Sequence, residues 1–213
     1  MGAKCFLATI EKGSDTSELE AKFLTQSDRD YIATLGAQKR VREVSLWRAL
    51  LRKTLSENSF AEHIYKADII YNEVGAPYFD NVKDLYFSVS HSRSIVAVVV
   101  DCERACAIDV EEVDRDFQSV ASRFATDAEV KLCAELPLIW AAKECAYKFS
   151  GRNQLDFTKD IRVTAIDTTE KRIDIQIQKM EVDTNPHLYS FYYSFTKQPN
   201  HIIVASSAIL APL

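Results

Sequence analysis

The sequence contains few glycines and no glycine-rich motif. Only 5 of its 213 residues are glycine, and the G-x-x-x-x-G-K-[ST] and G-x-G-x-x-G patterns of nucleotide-binding loops are missing. A phosphate cradle made of glycine-rich loop amides is therefore excluded. The H-E-x-x-H and G-x-S-x-G patterns are also missing, so the usual signatures of zinc peptidases and α/β-hydrolases are absent. Any bound phosphate would have to be held by side chains and a metal ion.

The sequence also lacks a disulfide framework and a long hydrophobic run. Its 5 cysteines form an odd set without a C-x-x-C pair, which is typical of free thiols in a reducing compartment. The longest uncharged apolar run, residues 95–100, is far shorter than the roughly 20 residues of a membrane helix. The first apolar run meets Glu11 too early for a signal peptide. We therefore expect a cytoplasmic protein.

The composition indicates a folded protein whose surface as a whole is not built to bind nucleic acid. Hydrophobic residues make up 47% of the chain, which is enough to bury a core in one large domain or two small ones. The 26 basic and 31 acidic residues give a net charge of −5, which argues against a surface built to bind nucleic acid.

Hydrophobic periodicity predicts an α+β chain. Strands are predicted at residues 4–11, 68–71, 85–90, 95–101, 106–112, 160–165, 172–178, 188–195 and 202–207. Helices are predicted at residues 27–35, 38–56, 117–124, 127–132 and 137–149, and Gly151 is placed to cap the last of them. No linker rich in proline, glycine or serine separates the two halves, so we expect one fused unit.

The predicted helix at residues 38–56 is strongly basic. It carries six positive charges and one negative charge, from Glu43. The positions expected to face the core are Val41, Val44, Leu46, Trp47, Leu50, Leu51 and Leu55. Its basic side chains either form a solvated face or bind an anion, and the helix alone does not decide between these two interpretations.

Two acidic residues alternate within an apolar strand. Asp109 and Glu111 are two residues apart, so both side chains are expected on one face of the strand. Carboxylates at this density suit Mg²⁺, which prefers hard oxygen ligands. The alternative is a strand end with a solvated acidic edge.

Two further motifs contain groups that can bind phosphate. Glu144 and Lys148 are four residues apart on the last predicted helix, where they form either a surface ion pair or a metal ligand and a phosphate-binding cation. Ser90, His91 and Ser92 follow a predicted strand, and they form either a phosphate-binding group or a capped turn with an ordinary surface histidine.

The order of these motifs resembles that of the 4'-phosphopantetheinyl transferase superfamily, in its larger, pseudo-dimeric type. That family shows G-K-P, a strand ending in S-H-S, G-[IV]-D-[IV]-E and W-x-x-K-E-[SA]-x-x-K. This sequence has GAP, SVSHS, AIDVEE and WAAKECAYK in the same order, within a likeness that extends from about Glu43 to Lys148. The resemblance implies an α+β fold of two similar packed halves, residues 1–104 and 105–213, each a small antiparallel sheet with helices, and an active site in the cleft between them.

The resemblance also implies an activity. It implies Mg²⁺-dependent transfer of 4'-phosphopantetheine from coenzyme A to a serine of an apo acyl, peptidyl or aryl carrier protein, with release of adenosine 3',5'-bisphosphate. Asp109, Glu111 and Glu144 would be the metal ligands, and Glu144 is also a candidate base for the carrier serine. Lys148 would contact the phosphates of coenzyme A, so that catalysis would depend on Glu144, Lys148 and Asp109.

The first half would supply the remaining coenzyme A contacts. Ser90, His91, Arg48 and Arg42 are expected to hold the nucleotide end with its 3'-phosphate. A monomer is expected, because the larger type resembles a fused dimer, and no nucleic acid or membrane partner is implied.

Three positions depart from the family pattern. Ala76 replaces the lysine of G-K-P, which removes one expected coenzyme A contact, and Ala107 replaces the glycine before the aspartate. Cys145 occupies a position where serine or alanine is usual, so a catalytic pair with His91 is an alternative to simple packing. Two other functions stay open: a non-catalytic module that binds coenzyme A or a carrier protein, and an unrelated Mg²⁺-dependent phosphotransferase that uses a nucleoside triphosphate.

Overall fold

The computed structural model describes residues 5–179, 183–197 and 200–206 of the chain. It divides into two units, Met1–Ala105 and Cys106–Leu213, which we call unit 1 and unit 2. All described strand pairs are antiparallel, and helices accompany the strands in both units. The predicted α+β class is therefore confirmed, and the pseudo-two-fold relation stays a prediction.

Over its described residues, unit 1 contains a three-stranded sheet, a hairpin and four helices. Its elements are β1 (Cys5–Glu11), α1 (Ser17–Phe23), α2 (Gln26–Ala33), α3 (Gln38–Glu57), α4 (Glu62–Tyr65), β2 (Ile69–Tyr71), β3 (Pro77–Phe79), β4 (Tyr86–His91) and β5 (Ile95–Asp101). The strand order of the main sheet is β1-β5-β4, and β2 pairs with β3.

The core of unit 1 forms between α3 and the central strand β5. Every residue of β5 is buried, which explains why this strand has a continuous apolar sequence rather than an alternating one. Leu46, Leu51 and Leu55 of α3 belong to the same hydrophobic cluster as Val96, Val98 and Val100 of β5. Val41 is only partly buried, whereas the other apolar positions predicted to face the core on this helix are buried.

In the part of unit 2 that the structure describes, there are a five-stranded sheet and two α-helices. Its elements are β6 (Ile108–Glu112), a 3₁₀ helix (Gln118–Arg123), α5 (Asp127–Leu132), α6 (Leu136–Ser150), β7 (Ile161–Asp167), β8 (Arg172–Ile177), β9 (His187–Lys197) and β10 (Asn200–Ala205). The strand order is β6-β10-β9-β8-β7, so β6 lies at one edge of the sheet.

Helix α6 packs against this sheet. Pro137 lies in its first turn, where the missing N–H group costs no helical hydrogen bond. Ile139, Ala142 and Ala146 are buried and bring the helix close to the strands. Gly151 ends the helix with φ of 61°, a left-handed conformation that glycine adopts without a Cβ clash, as predicted.

Several elements differ from the sequence-based expectation. Residues 118–123, inside the predicted helix 117–124, form a 3₁₀ helix instead of an α-helix, and α1, α4 and β3 were not predicted. Positions 4 and 207 of the first and last predicted strands lie outside the described residues. Within the described ranges, no helix combines the length and the apolar character that a membrane crossing would need.

Candidate functional site

Helix α6 presents three side chains to strand β6. Trp140, Glu144 and Lys148 follow one another at intervals of four residues, so they share one face of the helix. The Lys148 ammonium donates hydrogen bonds to Asp109 Oδ1 at 2.7 Å and to the Ile108 carbonyl oxygen at 3.0 Å. The Trp140 indole N–H donates to Glu111 Oε1 at 2.7 Å. Asp109 and Glu111 therefore both face α6, as their spacing predicted.

The carboxylate of Asp109 is enclosed rather than solvated. Asp109 is 5% exposed, which excludes the alternative of a solvated acidic strand end. Lys148 of α6 forms an ion pair with Asp109 of β6. The alternative interpretation, a surface ion pair with Glu144 on the same helix, therefore does not describe its main contact. Burial alone would lower the pKa of Lys148, but the adjacent Asp109 carboxylate outweighs burial and raises it, so Lys148 is a cation.

Glu144 lies among charges of its own sign. Burial, together with the negative charges of Asp109 and Glu111, raises the pKa of Glu144 to about 7, although Lys148 opposes this shift. Burial and Asp109 also raise the pKa of Glu111, against the hydrogen bond from Trp140. Asp109 is thus close enough to both glutamates to contribute to their raised pKa values, which indicates a deficit of positive charge at this place.

The donor set fits Mg²⁺ in chemistry. Asp109, Glu111 and Glu144 offer hard oxygen ligands, and an added divalent cation would offset the burial and the charge repulsion that together raise the two glutamate pKa values. Among the residues that the structure describes, no three His, Cys, Asp or Glu side chains are already arranged as a metal centre. Metal binding would therefore require a rearrangement of these side chains, in which Asp109 shares or gives up its present contact with Lys148.

Unit 1 holds His91 beside a buried acid. Glu43 of α3 accepts a hydrogen bond from Lys12 at 2.8 Å through Oε1, and His91 Nδ1 lies 3.4 Å from the same oxygen. Burial would raise the pKa of Glu43, but the Lys12 hydrogen bond and the charge of His91 lower it. Ser90 is buried in β4, where it pairs with Ala97 of β5. His91 is thus held by an acid of α3 that is itself fixed by Lys12, the residue after β1.

The SHS segment also forms the capped turn that was its alternative interpretation. Ser92 Oγ accepts hydrogen bonds from the backbone N–H groups of Ser94 and Ile95, at 3.3 and 3.2 Å. The Ser92 N–H donates to the Ile95 carbonyl oxygen at 2.9 Å. A capped turn and a phosphate-binding role for His91 are compatible, because the cap uses Ser92.

Arg48 is an interior residue of unit 1. Its side chain is fully buried, and its guanidinium donates to Asp28 Oδ1 at 2.7 Å and to the Tyr71 hydroxyl at 3.3 Å. Arg52 donates to both oxygens of the same carboxylate, at 2.5 and 2.8 Å. Two of the six positive charges of α3 therefore pair with the single carboxylate of Asp28 in α2. This burial gives no support to the expectation that Arg48 contacts coenzyme A.

Arg42 has the opposite environment. Its side chain is 43% exposed, and its guanidinium donates to the carbonyl oxygens of Lys12 and Ser14, both at 3.2 Å. It also lies 3.5 Å from Glu20 Oε1. Of the two arginines expected to bind the nucleotide end, only Arg42 reaches the surface of its unit.

The three departures from the family pattern are accommodated without strain. Ala76 lies in the β2–β3 hairpin, where its N–H donates to Asn72 Oδ1 at 2.8 Å. Ala107 is fully buried before β6. Cys145 is also fully buried, and burial raises the pKa of its thiol well above 9. The thiol is therefore protonated, which argues against the Cys145–His91 catalytic pair.

The geometry adds two residues to the site that the sequence analysis did not single out. Trp140 and Arg115 both contact Glu111. In the sequence, the tryptophan appeared only as the first residue of the W-x-x-K-E pattern. Arg115 carried no signal, because a single charged residue after a strand is common on protein surfaces.

The site falls inside a family match. Residues 105–205, which span β6 to β10, match the model of the 4'-phosphopantetheinyl transferase superfamily. The chain therefore contains a domain of this superfamily, a class of transferases, and the predicted family is confirmed. The match covers unit 2, so the pseudo-dimeric subtype stays a prediction. No curated protein gives a significant match to the chain.

Proposed function

We propose that the protein transfers the 4'-phosphopantetheine arm of coenzyme A to a serine hydroxyl of an apo acyl, peptidyl or aryl carrier protein. The superfamily domain supports phosphopantetheinyl transfer in general. The observation that carries the proposal is the cluster inside that domain, in which Lys148 pairs with Asp109 beside Glu144 and Glu111. Phosphodiester chemistry needs cations and a proton acceptor in one place, and this cluster offers both.

The reaction would be an in-line displacement at phosphorus. The serine oxygen forms a bond to the phosphorus that carries pantetheine, and the bond from this phosphorus to the bridging oxygen breaks. Adenosine 3',5'-bisphosphate leaves with the electron pair of that bond. Glu144 would accept the serine proton, directly or through water.

The remaining residues of the cluster would manage the negative charge of the phosphates. Asp109, Glu111 and Glu144 would hold Mg²⁺, which supplies positive charge to the phosphate oxygens when bound. Lys148 would add a second countercharge once its hydrogen bond to Asp109 is shared with a phosphate oxygen.

We also propose that Arg42, Ser90 and His91 hold the nucleotide end of coenzyme A. The support is chemical: Arg42 is an exposed cation, and His91 is held by Glu43 at 3.4 Å. Arg48 is left out of this set, because its buried guanidinium is already bound to Asp28. We further propose that the protein is a monomer and is located in the cytoplasm.

The test is intact-mass spectrometry of a panel of apo carrier proteins incubated with this protein, coenzyme A and MgCl₂. We expect a gain of one phosphopantetheine mass that is lost with chelator and with Glu144→Ala. Glu170→Ala is the matched control, because this glutamate is exposed in the turn after β7, away from the cluster. Coenzyme A binding without any mass gain would favour the non-catalytic binding module instead. Absence of both would contradict the proposal.

A further inference from the structure

A fully buried lysine on α6 joins three separate parts of unit 2. Lys143 has no exposed surface, and its ammonium donates to the carbonyl oxygens of Phe124 and Phe157, both at 2.7 Å. It also lies 2.6 Å from Glu129 Oε1 of α5. All three contacts go to groups that are distant in sequence. Lys143 therefore fixes the backbone at Phe124 and at Phe157 relative to α6.

Those two backbone positions carry the rings that enclose Trp140. The Phe157 ring is stacked on the indole with centroids 5.5 Å apart, and the Phe124 ring meets it edge-on at 5.1 Å. Phe117 contributes a third ring at 6.5 Å. The three phenylalanines form what we call the aromatic box of Trp140. Because Lys143 holds two members of the box by their carbonyl groups, it also limits the motion of the indole.

The one polar group of the Trp140 side chain is bound to Glu111, a predicted metal ligand. The indole N–H is a donor only, and it donates to Glu111 Oε1 at 2.7 Å. Arg115 contacts both oxygens of the same carboxylate, at 3.1 and 3.0 Å, from a side chain that is 51% exposed. An exposed ion pair of this kind orients its partner weakly, whereas an indole enclosed by rings is a fixed donor.

We propose that Trp140 and Lys143 are positioning residues for the Glu111 carboxylate. Lys143 fixes the aromatic box, and the boxed indole holds Glu111 in the orientation that Mg²⁺ binding requires. The inference rests on the proposed function, in which Glu111 is a metal ligand, and it concerns two side chains that do not touch the reacting groups. It follows a general rule that metal-binding carboxylates need hydrogen-bond partners to orient them.

The first test measures Mg²⁺ affinity by titration calorimetry in the presence of coenzyme A. Trp140→Phe keeps an aromatic ring in the box and removes the N–H donor, and we expect it to raise the Kd for Mg²⁺ about tenfold, the lower end for a lost outer partner. The kcat at saturating Mg²⁺ should largely recover, because no reacting group is lost. Trp47→Phe is the matched control, since the other tryptophan is buried in unit 1.

The second test needs no variant of Trp140. The indole N–H groups of Trp47 and Trp140 give two NMR signals, which Trp47→Phe assigns. We expect the Trp140 signal to shift on addition of MgCl₂ and to shift in Glu111→Gln, while the Trp47 signal stays in place. This measurement decides the matter if Trp140→Phe fails to fold.

The outcomes separate the inference from the proposed function. If the wild-type protein binds no Mg²⁺, the proposed metal site fails and the positioning role fails with it. If the wild-type protein binds Mg²⁺ and Trp140→Phe binds it equally well, only the positioning role is overturned. The positioning role is also overturned if the Trp140 indole signal shifts neither on addition of Mg²⁺ nor in Glu111→Gln.

Discussion

Arg42 and Arg48 both lie on α3, but their surroundings lead to different predictions. Arg42 is 43% exposed, so Arg42→Ala should raise the KM for coenzyme A and lower the free energy of unfolding by less than about 1 kcal/mol. Arg48 is fully buried, so Arg48→Ala removes a large interior side chain and a charged hydrogen bond, and it should lower the free energy of unfolding by about 2–5 kcal/mol even though Arg52 still pairs with Asp28. Steady-state kinetics and urea unfolding of both variants measure these effects. An unchanged KM in Arg42→Ala would remove it from the coenzyme A site.

Asp28 makes unit 1 sensitive to acid. Burial would raise the pKa of this carboxyl, but hydrogen bonds from Arg52 and Arg48 outweigh burial and lower it. A lowered pKa in the folded state means that the stabilisation is complete above the unfolded-state pKa of about 3.9 and is lost as pH falls through the folded value. We expect urea-unfolding free energies of the wild-type protein to fall below about pH 4. The Asp28→Asn variant should be less stable than the wild-type protein at pH 7. Its free energy of unfolding should also depend less on pH below about pH 4.

At the scale of elements, the Lys143–Glu129 pair connects α5 and α6 to the sheet. Glu129 accepts hydrogen bonds from Thr126 at the start of α5 and from the Val163 N–H of β7, at 2.8 Å in the latter case. Lys143→Met leaves this carboxylate buried without its cation, and we expect a loss of about 3–5 kcal/mol in the free energy of unfolding. The double variant Lys143→Met with Glu129→Gln should recover part of that loss. Lys131→Met on the exposed face of α5 is the control and should change it by less than about 0.5 kcal/mol.

The elements that periodicity predicted well are those whose pattern is local. Strand β5 and helix α5 have the predicted bounds, and α6 ends at the predicted Gly151. Helix α1 contains no buried residue, so it had no apolar stripe from which to be recognised. The three-residue strand β3 begins at Pro77, a residue that usually counts against a strand. Elements of this kind depend on neighbours that are distant in sequence.

At the scale of the whole molecule, the site residues also divide into those whose position follows from local geometry and those whose position depends on contacts distant in sequence. Asp109 and Glu111 were predicted to share a face because strand geometry alone fixes that relation. The partners of Arg48, in contrast, are Asp28 and Tyr71, which are brought together by the packing of α2, α3 and β2. A basic helix looks the same in sequence whether its arginines bind a ligand or neutralise a buried aspartate. The interior role of Arg48 therefore required the structure.

The last prediction concerns ligand binding to the whole chain. A ligand that binds the folded state at 100 times its Kd stabilises it by about 2.7 kcal/mol. For a protein of this size, each kcal/mol shifts the Tm by roughly 2–4 °C, so coenzyme A with MgCl₂ should raise the Tm by about 5–11 °C. ATP with MgCl₂ should produce a much smaller shift, since it lacks the pantetheine arm and the 3'-phosphate. A chelator should reduce the Tm shift produced by coenzyme A. Without a divalent cation, the coenzyme A phosphates and the carboxylates of Asp109, Glu111 and Glu144 repel one another. An equal shift with ATP would favour a nucleoside triphosphate donor over coenzyme A.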